Sequence, residues 1–287
     1  MALSILLLPY SHSILGRMRD KLHIIVIATL SILVHPGAFA QEPTEISRYE
    51  DCMGLAIDKP AEALNIALLW QENAGGAPAR HCEAISLFNL AEYGEAGARF
   101  ELIAEDIRVG RGMPTIAGTQ SGADKVMYAS MLSQAAQAWL FAGEIDRAHD
   151  AASRALSVVD KGSAIHIEIL LDRAQITAAD EDYELALEDI DAALTFEPHN
   201  LIALLFQAAA RRAVGNYLDA KKSIDQAYTI DGKNPSILLE RANIAFMLGD
   251  KDSARQDLLI IVRDYPDSQA APSARMNLER MALKEID

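Results

Sequence analysis

The sequence predicts an all-α protein, a solenoid of antiparallel helix pairs, because small residues return every 34 positions in its C-terminal half. Ala174, Ala208 and Ala242 are spaced in this way, and Gly215 and Gly249 keep the same step. Two further rows follow the period: Ala186, Ala220 and Ala254, and then Ala193, Ala227 and Ile261. A repeat of this length is typical of stacked helix pairs that bury their apolar faces against one another.

Each recurring residue type suits its place in such a pair. Small side chains at Ala174 and Ala186 let the first and second helices approach closely. Gly215 is expected in the turn between helices, where glycine tolerates the left-handed conformation that ends a helix. Pro198 and Pro266 follow second helices, where proline prevents further helical growth.

This pattern resembles the tetratricopeptide repeat (TPR), whose unit has a small residue in its first helix, Gly-x-Tyr at the turn and alanines in its second helix. Gly215-Asn216-Tyr217, with Ala220 and Ala227 after it, is the best match. Adjacent units match at the 34-residue step, and an earlier unit around Ala136 precedes them by 38 residues. Glu181 departs from the pattern, since glycine is usual there.

The resemblance implies a right-handed superhelix with four TPR-like repeats over residues 126–268. The following segment, residues 269–287, is polar with a few spaced apolar residues. We expect it to form a C-terminal helix that covers the apolar edge of the last repeat, as such arrays require.

The N-terminal third matches the repeat less well, and we interpret residues 41–109 as degenerate helical repeats. One predicted pair spans Ala84–Ile107 with its turn at Tyr93–Glu95, and another spans Tyr49–Trp70 with a break at Asp58–Pro60. Residues 110–125 are predicted to be a glycine-rich loop. A phosphate-binding loop is disfavoured because no Lys-Ser or Lys-Thr pair follows the last glycine.

Residues 1–40 are predicted to be a secretory signal peptide. Basic residues precede the apolar run Leu22–Val34, and Ala38 and Ala40 supply the small residues that precede cleavage before Gln41. The run is shorter than the roughly 20 residues of a membrane helix, although an uncleaved anchor stays an alternative. Met18 is a better start than Met1, since basic residues would then open the chain. We therefore expect an exported, periplasmic protein without stable membrane insertion.

The two cysteines, Cys52 and Cys82, are expected to form a structural disulfide in an oxidising compartment. A zinc or redox site with His81 is the weaker interpretation, because further ligands at metal spacing and a Cys-x-x-Cys pair are missing.

Charge and motifs argue against several functions. The formal net charge of −15 repels nucleic acid and anionic membrane surfaces. The chain has no nucleophile elbow, zinc-protease motif or dinucleotide fingerprint, and its acidic runs lack the spacing of a calcium loop. We expect no enzyme activity, cofactor or metal.

The remaining candidate is the concave groove that the TPR resemblance implies. In that family the residue after each packing alanine faces the groove, and here these residues are Gln137, Gln175, Ala209 and Asn243. The lysines with which some TPR proteins hold a C-terminal carboxylate are absent. Their positions carry Ser133, Leu171, Leu205 and Leu239. An apolar strip is predicted instead to receive a hydrophobic peptide or amphipathic helix: Leu171, Leu205, Leu239, Phe246 and Met247.

The sequence thus favours an exported, non-enzymatic scaffold that binds a partner protein or peptide. The alternatives are a periplasmic solute- or glycan-binding accessory protein, and a regulatory or catalytic protein whose activity lies in the N-terminal block.

Overall fold

In the computed structural model, residues 45–111 and 121–283 are described, and all regular structure in these ranges is helical. The predicted signal peptide, residues 1–40, lies outside them. The helices are α1 (Glu45–Asp58), α2 (Pro60–Glu72), α3 (Gly76–Asn89), α4 (Tyr93–Arg108), α5 (Ser121–Ala142), α6 (Ile145–Leu156), α7 (Ala164–Ala179), α8 (Tyr183–Phe196), α9 (Leu201–Ala213), α10 (Tyr217–Ile230), α11 (Pro235–Met247), α12 (Lys251–Asp264) and α13 (Ala270–Leu283).

Consecutive helices pack together along the whole array, and this confirms the predicted all-α solenoid of helix pairs. The recurring alanines lie where the sequence predicts, at the contacts between helices. Ala174, Ala208, Ala186 and Ala220 have no exposed surface. Because these side chains are small, neighbouring helices approach closely along most of their length.

The turn inside each of the five pairs from α3–α4 to α11–α12 has one geometry. A single residue adopts the left-handed conformation, with φ between 62° and 86°: Ala91, Gly143, Glu181, Gly215 and Gly249. The backbone N–H of the next residue donates to a carbonyl five positions earlier, as Asn216 does to Arg211 at 2.8 Å. This bond is the signature of a Schellman motif, which satisfies carbonyls at the end of the first helix.

The second helices begin immediately after this turn, and acidic residues cap two of them. Asp182 Oδ1 accepts from the backbone N–H of Leu185 at 3.0 Å, and Asp250 Oδ1 accepts from that of Ser253 at 3.1 Å. Part of the acidic character of these segments is therefore explained by helix capping.

Exchanging residues at the left-handed turn position should change stability in opposite directions. Gly215→Ala is expected to lower the free energy of unfolding by about 1 kcal/mol, since an L-residue is disfavoured there. A Cβ at Gly215 would have open space, so the loss would be conformational. Ala91→Gly and Glu181→Gly should raise stability by up to about 1 kcal/mol. Chemical denaturation followed by circular dichroism would measure these changes.

A glycine inside a helix provides the matched control for these turn variants. Gly54 lies in α1, and a Cβ there would also meet no atom within 4 Å. Gly54→Ala should therefore stabilise the protein, because alanine is the better helix former. Equal effects of Gly54→Ala and Gly215→Ala would contradict the role given to the turn.

The α3–α4 pair follows the repeat more closely than the sequence interpretation allowed. Ala84, Ala96 and Ile103 have the same mutual spacing as Ala208, Ala220 and Ala227, and all six are fully buried. The predicted turn at Tyr93–Glu95 was placed too late, because the left-handed residue is Ala91 and α4 already begins at Tyr93. The pattern was missed because the step from Ala84 to Ala136 is 52 residues instead of 34.

The other helix boundaries of the N-terminal block can be set beside the predicted ones. The α1 helix ends at Asp58 and α2 begins at Pro60, the residue type that suits a first helical turn. Helix α5 begins at Ser121, inside the predicted 110–125 loop, and residues 112–120 lie outside the described ranges. The sulfur atoms of Cys52 and Cys82 lie at bonding distance, 1.92 Å, and join α1 to α3.

A polar contact recurs inside the pairs, between residues 16 positions apart. Arg173 forms a two-pronged ion pair with Asp189 at 2.7 and 2.8 Å, and Arg241 pairs in the same way with Asp257. In the pair between them, Ser223 Oγ donates to Gln207 Oε1 at 2.7 Å. Each contact joins the first helix of a pair to its second helix.

Candidate partner-binding face

The first helices of successive pairs form one side of the solenoid. Contacts join α5 to α7, α9 to α11, and α11 to α13, whereas within the described ranges no two second helices approach each other as extensively. Helices α7 and α9 are in less extensive contact than these three pairs. We call the surface that the first helices form the inner face.

A buried carboxylate bridges two repeats on the inner face. Asp172 of α7 is 4% exposed and accepts hydrogen bonds from Ser133 Oγ at 2.6 Å and from Gln137 Nε2 at 2.7 Å. Both donors lie on α5. Gln137, a predicted groove residue, is half-buried and gives an N–H group to the neighbouring repeat. It therefore has less hydrogen-bonding capacity for a ligand than the sequence suggests.

A second bridge joins α9 to α11. Glu240 has no exposed surface and accepts from Arg212 Nε at 2.6 Å and from Arg212 Nη2 at 3.1 Å. Burial raises the pKa of Glu240, and the adjacent Arg212 guanidinium opposes that rise. Arg212 and Glu240 thus form an ion pair between two repeats, in which each buried charge is stabilised by the other. We call this pair the clamp.

The last helix continues the same pattern. Asn277 Nδ2 of α13 donates to Asn243 Oδ1 of α11 at 2.9 Å, and these residues are 34 positions apart. Helix α13 therefore occupies the place of a further first helix. Met276, 34 positions after the packing residue Ala242, is 45% exposed.

Three leucines of the predicted apolar strip are not accessible. Leu171, Leu205 and Leu239 are 7%, 9% and 5% exposed and belong to the packed clusters between helices. Gln175 is also buried, at 8%. In the described structure these side chains thus belong to the packing between helices, and their part in partner binding stays a prediction. A negatively charged residue at Leu205 or Leu239 would disrupt the core and would not report on binding.

The accessible part of the predicted groove lies at the end of α11. Met247 is 48% exposed, and Asn243 and Phe246 are half-buried. Leu248, the next residue, is 38% exposed, and Val214 lies 34 positions earlier at the end of α9 with 40% exposure. Leu248 and Val214 thus occupy the same position of their repeats.

An aromatic group at the other end of the array was not predicted. Phe88, Tyr93 and Phe141 are half-buried, with ring centroids 5.2–5.6 Å apart, and Tyr93 stacks on Phe141. The signal was present in the sequence, since Phe88 and Phe141 each lie within three residues before a left-handed turn residue. It was missed because the α3–α4 turn was assigned to the wrong residues.

Other kinds of site find no support in the described ranges. No group of three or more histidine, cysteine or acidic side chains is placed to hold a metal ion there. Within the same ranges, none of the helices combines the length and apolar character needed to span a bilayer.

The helix pairs and their turns can be compared with those of known proteins. A TPR protein from Parabacteroides merdae superposes with a TM-score of 0.62 at 14% identity, over 82% of this chain and 87% of that protein. The fold is that of a TPR solenoid. The TPR likeness extends to pilF of Pseudomonas aeruginosa, with a TM-score of 0.56 at 15% identity over 81% and 99% of the two chains.

Comparisons of the sequence give no match in addition to these structural similarities. The chain matches no protein-family profile, and no curated protein sequence is significantly similar to it. At identities near 15%, the structural likeness shows the fold alone.

Proposed function

We propose that this protein is an exported, non-enzymatic TPR scaffold that binds a partner protein or peptide on its inner face. The observation that carries the proposal is the set of contacts between first helices along one side of the TPR solenoid. Solenoids of this kind offer extended concave surfaces to their ligands. The fold thus supplies a surface of the right shape, and the residues at the α11 end supply its chemistry.

The partner is expected to place an apolar side chain against the α11 end. Met247 is unbranched and exposed, and such a side chain adapts its shape to an apolar ligand. Leu248, the next residue, adds a second exposed apolar side chain. An apolar contact of this kind suits a hydrophobic peptide or the apolar face of a helix.

A charge placed at Met247 tests this proposal. Met247→Asp should weaken partner binding at least tenfold, because it puts a charge into the apolar contact. The matched control is Leu259→Asp, since Leu259 is similarly exposed, at 52%, but lies on α12, the second helix of the same pair. Envelope extract would be passed over the wild type and both variants, and the affinity of any retained protein then measured.

The proposal predicts a protein that the wild type and Leu259→Asp retain and Met247→Asp does not. If the two variants retain the same proteins equally well, the inner face is not the binding surface. The protein recovered from the envelope fraction should also begin near Gln41, as the predicted signal peptide requires.

A further inference from the structure

A buried histidine holds three helices of the N-terminal block together. His81 of α3 is 7% exposed, and its two ring nitrogens contact different helices. The hydroxyl of Tyr49 on α1 lies 2.6 Å from Nδ1, and Gln134 Oε1 on α5 lies 3.2 Å from Nε2. The ring also stacks on Tyr49 and meets the edge of Phe100 from α4.

The hydrogen bonds around His81 define its protonation state. Gln134 Nε2 donates to the carbonyl of Ser130 at 3.3 Å, so its Oε1 is the atom that faces the imidazole and accepts from Nε2–H. Burial raises the pKa of Tyr49 to about 12, so the phenol keeps its proton and donates it to Nδ1. The network therefore requires a neutral imidazole with its proton on Nε2.

Among the residues that the structure describes, a second proton on this imidazole would find no counter-ion. Tyr49 is the titratable group that faces the ring from α1, and Phe100 and Gln134, which face it from α4 and α5, carry no charge. On its own helix, Arg80 is bonded to Asp106.

The nearby carboxylate on α3 is also engaged elsewhere. Glu83 accepts from Arg99 Nε at 2.9 Å and from Gln71 Nε2 of α2 at 2.9 Å. A proton added at Nδ1 of His81 would thus create a buried cation and deprive the Tyr49 hydroxyl of its acceptor.

The disulfide lies directly beside this network. Cys82 follows His81 in the chain and is bonded to Cys52 on α1, the same helix that carries Tyr49. The covalent bond keeps α1 attached to α3 even when the hydrogen bond to His81 is lost. Under α1 and α2 lies an apolar cluster that includes Ala79 and Cys82 of α3.

We propose that His81 is the closing contact of an acid-sensitive latch. A proton entering at Nδ1 releases the α1–α2 pair, which remains tethered through Cys52–Cys82, and the release uncovers the apolar face of α3. Above pH 7.5 the latch is closed. Burial lowers the pKa of His81 below its usual 6.5, so the open form binds the proton more tightly. The ratio of closed to open protein therefore decreases as pH falls below about 6.5, by up to tenfold for each pH unit.

Hydrogen exchange measured by mass spectrometry tests the latch on the full mature protein. After correction for intrinsic exchange rates, the open population of residues 45–72 should rise at least tenfold between pH 7.5 and pH 5.0. Residues 201–230 in the C-terminal array serve as the internal reference and should not change. In His81→Gln, whose amide can keep both hydrogen bonds but does not titrate, the rise should disappear. The same rise in wild type and His81→Gln, or no rise in wild type, would overturn the proposal.

A measurement on the unmodified protein removes any dependence on how the variant folds. Nuclear magnetic resonance of the wild-type imidazole should show His81 titrating below 6.5, together with loss of the Tyr49 contact. A titration midpoint at or above 6.5 would refute the latch, because the closed form would then favour the proton.

Discussion

Replacing Arg212 with methionine is expected to lower the free energy of unfolding by about 3–5 kcal/mol. Methionine keeps much of the side-chain volume but leaves the Glu240 carboxylate fully buried without its ion-pair partner. The loss should depend on pH. Because burial raises the pKa of Glu240 above 4.5 in the folded state, the uncompensated carboxylate is destabilising at neutral pH. Below about 4.5 the group is neutral in both states, and the difference from wild type should shrink.

The double variant Arg212→Met with Glu240→Met provides the decisive comparison. Removing both charges should restore most of the stability, since apolar replacements of buried ion pairs are often close to neutral. Chemical denaturation of all three variants would measure the coupling between the two residues. An exposed pair on α12, Arg263 with Asp264, is the control, and Arg263→Met should have no measurable effect. A single Arg212→Met variant as stable as the wild type would show that the clamp is not closed in solution.

Loss of the bond between Cys52 and Cys82 is expected to destabilise the N-terminal block by about 3–4 kcal/mol. The two cysteines are 30 residues apart, and closing a loop of this length restricts the unfolded chain by that amount in the loop-entropy model. Both side chains are buried, so Cys52→Ala with Cys82→Ala keeps the packing nearly intact while it removes the cross-link. Guanidinium denaturation with and without a thiol reductant would measure the loss.

The alanine variant also controls for side effects of the reductant. Wild-type protein should unfold at lower denaturant concentration when reduced, and the double-alanine variant should not respond. Because solenoids unfold partly repeat by repeat, the change should be concentrated in residues 45–72, where hydrogen exchange can locate it. An unchanged wild-type midpoint after complete reduction would rule out a stabilising disulfide.

The fold class could be predicted because the repeat period reflects local requirements. Ala208 and Ala220 are needed wherever two helices cross closely, and Gly215 is favoured wherever a turn needs a left-handed residue. Such demands recur at fixed spacing, so they can be found in the sequence. The same reasoning placed the α3–α4 turn incorrectly. The left-handed residue there is Ala91, and alanine does not predict a left-handed conformation as glycine does.

The candidate site could be predicted only in part. The sequence predicts that the first helices line one surface, but it cannot supply how closely the helices pack. That packing leaves Leu205 covered, whereas Met247, another residue of the predicted apolar strip, is exposed. It also decides that Gln137 is engaged by Asp172 of the next repeat. Exposure depends on packing summed over several helices, whereas periodicity reports one helix at a time.

By itself, the sequence determined the helix pairs and the places of most turns, because these follow from residue size and backbone preference within one repeat. Only the tertiary structure decided which inner-face residues are accessible and which are used as bridges between repeats. It also brought His81, Tyr49 and Gln134 together from three helices. The physical reason is that such contacts join residues far apart in the chain, and their geometry is set by how closely successive repeats stack.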